Sequence, residues 1–169
     1  DPIPNIIEML ELKGIKLLLI DDVDEIDGLA VFTSSKIPVV VVNIRNKPIE
    51  RIRFTIIHEL AHLLLSFEKR IADLPKEVEI YCHLFSSCFL IPTEMLLNQI
   101  GSAKRNYIRI EELIGIKEYF GISIRAIVHR LKELEIIVPS YYERWMVYMS
   151  KTYGSKSEPG QYKGEEKSR

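Results

Sequence analysis

Only two cysteines, Cys82 and Cys88, occur in the 169 residues, too few for a disulfide framework to stand in for a core. Both fall on one expected helix at a spacing that turns them to different faces. A reduced, cytoplasmic chain is the natural expectation. Long apolar runs are also missing: Leu17–Ile20 and Val39–Val42 stop far short of the ~20 residues a membrane helix needs. The opening Asp1-Pro2-Ile3-Pro4 has no basic stretch followed by an apolar one, so it does not read as a signal peptide. It also lacks an initiator methionine, which suggests processing or excision from something longer. Charge of one sign is not in excess. Lys and Arg number 23 and Asp and Glu 24, a net charge of −1, which argues against a chain that works by coating nucleic acid. No internal repeat is present. What remains is ordinary globular chemistry, 47% hydrophobic and 28% charged, in a chain long enough to bury roughly two-thirds of its unfolded surface.

The chain reads as strands first and helices after. Asn5–Lys13 forms a short helix stopped by Gly14, and Ile15–Ile20 is a compact β-rich run followed by an acidic loop from Asp21 to Asp27. Leu29–Thr33 and Pro38–Asn43 read as a hairpin around Ser34-Ser35-Lys36. The four valines Val39–Val42 suit a strand covered on both faces. Pro48 and Glu50 open a long helix that should reach about Phe67. Further helices are expected over Pro75–Leu90, Thr93–Ile100, Ile110–Phe120 and Ser123–Leu134. A last one starts at Pro139-Ser140, with Ser140 and Glu143 spaced as a capping box. The order predicts an α+β fold in a single domain over residues 1–153. The Gly-, Ser-, Lys- and Glu-rich segment 154–169 has little to bury and is expected to be a flexible tail.

The first long helix carries the chemistry. At about 100° per residue, Ile49, Ile52, Ile56, Leu60 and Leu63 share one side and His58 and His62 the other, flanked by Phe54, Ala61 and Leu65. Such a helix is apolar nearly all round and should be buried. Two imidazoles and the Glu59 carboxylate inside it would each cost a few kcal/mol to bury without partners. A divalent ion removes that cost, because histidines at i and i+4 direct two nitrogens at one ion and a Glu after the first can reach its water. A catalytic site of this kind takes three protein ligands and leaves one position open. The extension that would place Gly at position 65 and His at 68 is absent, since Leu65 and Glu68 stand there. The next helix offers Glu77, Glu79, Cys82 and His83, and spacing alone does not choose between Glu79 and His83.

The stretch Arg51-Ile-Arg-Phe54-Thr55-Ile-Ile-His58-Glu59-Leu-Ala-His62 resembles the active-site helix of the ImmA/IrrE family of zinc metallopeptidases. Glu79-Ile-Tyr-Cys82-His83 through Leu90-Ile91-Pro92 resembles that family's second helix, and the similarity continues through Gly121-Ile-Ser123-Ile-Arg-Ala126 and Glu158-Pro159-Gly160. The resemblance implies a zincin-like fold, Zn²⁺ held by His58, His62 and Glu79, and Glu59 as general base. It departs at His83, where the family usually has Asn, which makes His83 a partner of the ligands or a competitor for the metal. The family typically cleaves helix-turn-helix transcriptional repressors, and some members carry such a DNA-binding domain at the N-terminus. The expected substrate is therefore a protein, with a fused or partner DNA-binding domain in view and no membrane.

Three further expectations concern details. Tyr81, Tyr107 and His129 are candidates for stabilising the oxyanion, each with a purely structural role as the simpler reading. The Val39–Asn43 strand could take an extended substrate at a sheet edge. The rival function is a DNA-binding or metal-sensing regulator, because Gly121–Lys132 resembles the second helix of a helix-turn-helix with basic residues on one side. Against it, the same residues suit a surface helix, and direct nucleic-acid binding is not the expectation at this net charge.

Overall fold

The computed structural model describes residues 1–21, 26–65, 75–154 and 157–168. Three strands, β1 (Lys16–Ile20), β2 (Gly28–Phe32) and β3 (Pro38–Asn43), form one mixed sheet in the order β1-β3-β2. β1 runs parallel to β3 with Leu18 opposite Val41, and β2 runs antiparallel to it with Leu29 opposite the same Val41. Seven helices are present among the described residues: α1 (Ile6–Leu12), α2 (Ile49–Leu64), α3 (Pro75–Leu90), α4 (Thr93–Ile100), α5 (Ile110–Phe120), α6 (Ile124–Glu133) and α7 (Pro139–Tyr153). This is the α+β arrangement that the element order predicts. The acidic run at 22–25 and the expected end of the long helix, together with the segment 66–74, lie outside the described residues.

The contacts fall into two compact units, one built on Ile3–Phe89 with the segment from Gly164, the other on Leu90–Lys163. In the first unit α2 lies on β2 and β3. Asn46 turns the chain from β3 into α2 by adopting φ 53°, a left-handed conformation that Asn tolerates better than most residues. Because α2 covers one face of the sheet, Val40 and Val42 are sealed while their neighbours Val39 and Val41 are only half-buried. The expectation of a strand buried on both faces is corrected accordingly. Leu18, Leu29 and Val31, on the same outer face as Val39 and Val41 by register, are exposed.

The buried residues of α2 are Glu50, Arg53, Thr55, Ile56, Ile57, Leu60 and Ala61. Ile49, Ile52 and Leu63 are half-buried and Leu64 is exposed. The helix is therefore not sealed all round, and its histidine side opens toward solvent. In the second unit, α7 starts with Val138 as N-cap and Pro139 in its first turn, with no side-chain cap. The expected Ser140–Glu143 capping box is not formed, since the helix already begins one residue earlier on a proline preset for that position.

The segment after Gly154 is richer in contacts than its composition suggests. Glu158 accepts hydrogen bonds from the Ile124 and Arg125 amides at 2.7 and 3.1 Å, at the start of α6, and pairs with Arg125 and Lys117. Glu166 does the same for α1, accepting from the Ile6 and Ile7 amides at 2.7 and 3.0 Å, and pairs with Arg53 of α2. Tyr162 is buried. Two carboxylates at helix N-termini, where the dipole favours negative charge, account for this. The expectation of a segment with little to bury rests on apolar content, and these contacts are mostly polar.

Candidate metal centre

One turn of α2 places His58 and His62 on the same side, and their Nε2 atoms stand 3.2 Å apart. α3 then brings Glu79 to the same point. Its Oε2 lies 3.0 Å from His58 Nε2 and its Oε1 3.3 Å from His62 Nε2. A tetrahedral ion with ligand bonds of 2.0–2.2 Å separates its ligand atoms by roughly 3.3–3.6 Å. The three donors thus stand close to the spacing that such an ion requires, with the carboxylate bridging the two imidazoles.

A second grouping shares two of these residues. Donor atoms of His58, Glu79 and His83 all lie within 4.8 Å of one another. That limit is looser than the edge of a metal tetrahedron, so His62, with 3.2 and 3.3 Å to its neighbours, completes the tighter set. The His83 ring packs against that of His58, centroids 4.7 Å apart, and against Phe54 at 5.6 Å.

The protonation chemistry fits an ion as well. His58 Nδ1 is buried without a hydrogen-bond partner among the described residues, while Nε2 faces both a carboxylate and another imidazole. A neutral ring has one N–H and one lone pair, and it is Nε2, not the buried Nδ1, that is turned to the cluster and placed to offer its lone pair. Burial, followed by the neighbouring His83, holds His58 below the usual histidine pKa, with Glu79 pulling the other way. A neutral imidazole is the form that ligates metals. Glu79 is half exposed, so the cluster is open on one side.

Glu59 follows His58 on α2 and is half-buried. Burial pushes its carboxyl above the usual range; His62 opposes this, and the Glu79 and Asp27 carboxylates add to it. A base with a raised pKa is better matched to proton transfer near neutrality than an ordinary carboxylate.

The residues preceding the histidines hold α2 in place. Arg51 and Lys47 reach Asp27, just before β2, at 2.6 and 2.7 Å. Although burial works against it, these two partners hold the Asp27 carboxyl below its usual value. Arg53, fully buried, pairs with Glu166 and donates to the Ile3 carbonyl at 2.8 Å. Thr55 is buried beside Gly28. Sequence reasoning quoted the Arg51-x-Arg53-Phe54-Thr55 string without assigning it work. The signal available was two arginines one turn or less from an apolar core, each requiring a partner.

The other candidates separate as follows. Cys82 is buried and its thiol is pushed up to about 11, by burial first and then by the Glu79 and Glu59 carboxylates. It stays protonated and is a poor ligand. Among the described residues Glu77 joins no donor grouping. Tyr81 is exposed on α3. Tyr107 and His129 belong to the second unit, where His129 pairs with Glu133 and packs on Tyr142. β3 is the central strand, so it offers no free edge to a substrate; β1 and β2 are the edges.

No single helix among the described residues is long and apolar enough to cross a membrane. No curated protein matches the chain. The model of the Peptidase_M78 family, described as the IrrE N-terminal-like domain, matches residues 11–132. That span takes in the whole sheet, α2 and α3. With the motif helix, the donor cluster and this match in agreement, the chain belongs to the M78 peptidase family, with an α+β zincin-like peptidase domain.

Proposed function

We propose that this chain is a zinc-dependent endopeptidase in which His58, His62 and Glu79 hold the metal and Glu59 is the general base. The observation that carries the reading is the donor triad at 3.0, 3.2 and 3.3 Å with a half-buried carboxylate next to it on the same helix. A zinc ion there would acidify a water molecule and polarise the scissile carbonyl. Glu59 takes the proton of the attacking water on its carboxylate and returns it to the leaving amine. Glu79 spans both imidazoles and so fixes their orientation. His83 packs on His58 and limits the ring's freedom. An extended peptide would add to the edge strand β2, which lies on α2, by main-chain hydrogen bonds.

The substrate class we infer is a protein, with a helix-turn-helix transcriptional repressor as the specific proposal. It rests on the likeness of the two motif helices to the ImmA/IrrE peptidases. Free Cys82 and Cys88 accord with a reducing, cytoplasmic setting. Against the rival DNA-reading role for α6 stands the engagement of its cations: Arg125 by Glu158, Arg130 by Glu133 and Thr93, and Lys132 by the Tyr142 ring. The test is incubation with repressors encoded beside the gene, with and without a chelator. Chelator-sensitive cleavage that disappears in Glu59→Gln supports the reading. Salt-dependent binding to duplex DNA with no cleavage would replace it with the regulator.

A further inference from the structure

We propose that Gly28 is a positioning residue for Glu59, resting on the reading of Glu59 as general base. β2 begins at Gly28, and here the edge strand packs against the active-site helix. A Cβ at this position would sit 2.9 Å from Glu59 Cγ, 2.9 Å from Thr55 Cγ2 and 3.1 Å from Glu59 Oε1. Contacts under 3.0 Å lie well inside the ≈3.5–4.0 Å at which carbon atoms attract, so something must move.

The glycine is required by space, not by backbone conformation. The glycines at positive φ are Gly14, Gly101, Gly121, Gly154 and Gly160, and Gly28 is not among them. In a strand interior a glycine of this kind marks a close approach by another group. Thr55 and Glu59 are one turn apart on α2, with Arg51 a further turn back, so one helix face meets the strand start at three points. Arg51 and Lys47 clamp Asp27 from that side. The strand cannot retreat without breaking that clamp, because Asn43 also donates to the Asp27 carbonyl at 3.0 Å. Relief must therefore come from the helix side chains. Thr55 is β-branched and stiff at χ1, whereas Glu59 can swing about its own torsions, and any swing takes its carboxylate from the place it holds here. The bare Cα of Gly28 is what leaves Glu59 in its place.

The experiment compares wild type with Gly28→Ala, Glu59→Ala and the double variant, all melted metal-free in chelator. Gly28→Ala should lower the melting temperature by several degrees. In the Glu59→Ala background, where Cγ and the carboxylate are gone, the loss should be smaller, the remainder being the part owed to Thr55 Cγ2. If Gly28→Ala fails to fold, recovery of folding in the double variant supports the proposal and two unfolded proteins overturn it. An equal loss in both backgrounds overturns it too.

A second arm uses a fluorogenic peptide selected from a library for chelator-sensitive cleavage by wild type. Gly28→Ala should bind the same amount of zinc and show kcat at least tenfold lower with KM within twofold. Adding Thr55→Ser, which removes only the Thr55 methyl, should leave kcat low, because the clash with Glu59 persists. Return of full activity in that double variant would place the constraint on Thr55 and refute the assignment. Absence of any chelator-sensitive cleavage by wild type counts against the peptidase reading, and the melting arm then decides the Gly28–Glu59 contact alone.

Discussion

Truncating Glu166 to alanine should be the most destabilising single change in the C-terminal segment. Its carboxylate pairs with the guanidinium of Arg53, whose side chain is fully buried, and caps α1 through the Ile6 and Ile7 amides. Burial pushes the Glu166 carboxyl above its usual range, outweighing the combined pull of the Ile7 amide, Arg53 and the Ile6 amide. The pair itself therefore adds little net stability. Breaking it is another matter, because Glu166→Ala removes the carboxylate that faces a fully buried guanidinium. Removing one partner of a buried ion pair costs about 3–5 kcal/mol, against a total stability of about 5–15 kcal/mol for a typical domain. At roughly 2–4 °C per kcal/mol for a chain of this size, the melting temperature should fall by about 10 °C. Replacing both partners with apolar residues, Arg53→Met with Glu166→Leu, should recover most of that loss, since neither charge is then buried. Thermal melts and urea titrations of the three proteins measure this. A loss below about 1 kcal/mol in Glu166→Ala, or a double variant as weak as the single, would refute the reasoning.

Glu59→Gln should keep its fold and its zinc while cleavage falls by ~10²–10⁴, the usual worth of a general base; metal analysis beside a cleavage assay checks both halves. Glu79→Ala should lower zinc affinity by several orders of magnitude, whereas His83→Ala, removing a group that packs on a ligand, should cost only ~10–100-fold. A chelating-indicator titration ranks them, and the reverse ranking would move the third ligand to His83. Glu112 is held down to about 2 by hydrogen bonds from Arg105, with burial opposing and the Arg109 amide assisting. A depressed folded pKa means that its contribution is fully present above the unfolded value near 4.5 and is lost as pH falls toward 2. Because both side chains are partly exposed, the contribution should be about 1–2 kcal/mol, and Glu112→Gln should flatten stability against pH across that window.

Local patterning made much of this molecule legible in advance. α3, α4 and α5 begin and end where their Pro and Gly punctuation predicts, because a proline or a glycine acts on the chain within a residue or two. β2 and β3 pair as the hairpin read around Ser34-Ser35-Lys36 predicts. The pairing of β1 with β3 was not legible, since a parallel partner is chosen by a crossover and not by a turn. That single fact makes β3 central and leaves β1 and β2 as the edges. The two histidines were readable because i and i+4 is a local rule; His58, His62 and Glu79 meeting within 3.3 Å depends on how α3 returns to α2, which no spacing within either helix encodes.

The C-terminal segment shows the same boundary from the other side. Composition measures how much apolar surface a segment can bury, and by that measure residues after Gly154 have little to gain. It says nothing of a carboxylate that answers a cation 113 residues away, as Glu166 does for Arg53. Arg53 was itself the available clue, since an arginine on the core side of α2 must find an anion. Gly28 is the counterpart on the opposite flank: a residue noticed for no chemistry, placed where a missing side chain leaves room for Glu59. The two devices work on different parts of one helix. Glu166 holds α2 by a buried charge at Arg53, while Asp27 and Gly28 set how near the edge strand runs to Thr55 and Glu59. The helix that carries His58 and His62 is thereby held on two flanks by groups outside the donor cluster, and the string Arg51-x-Arg53-Phe54-Thr55 acquires a physical reason for standing directly ahead of His58.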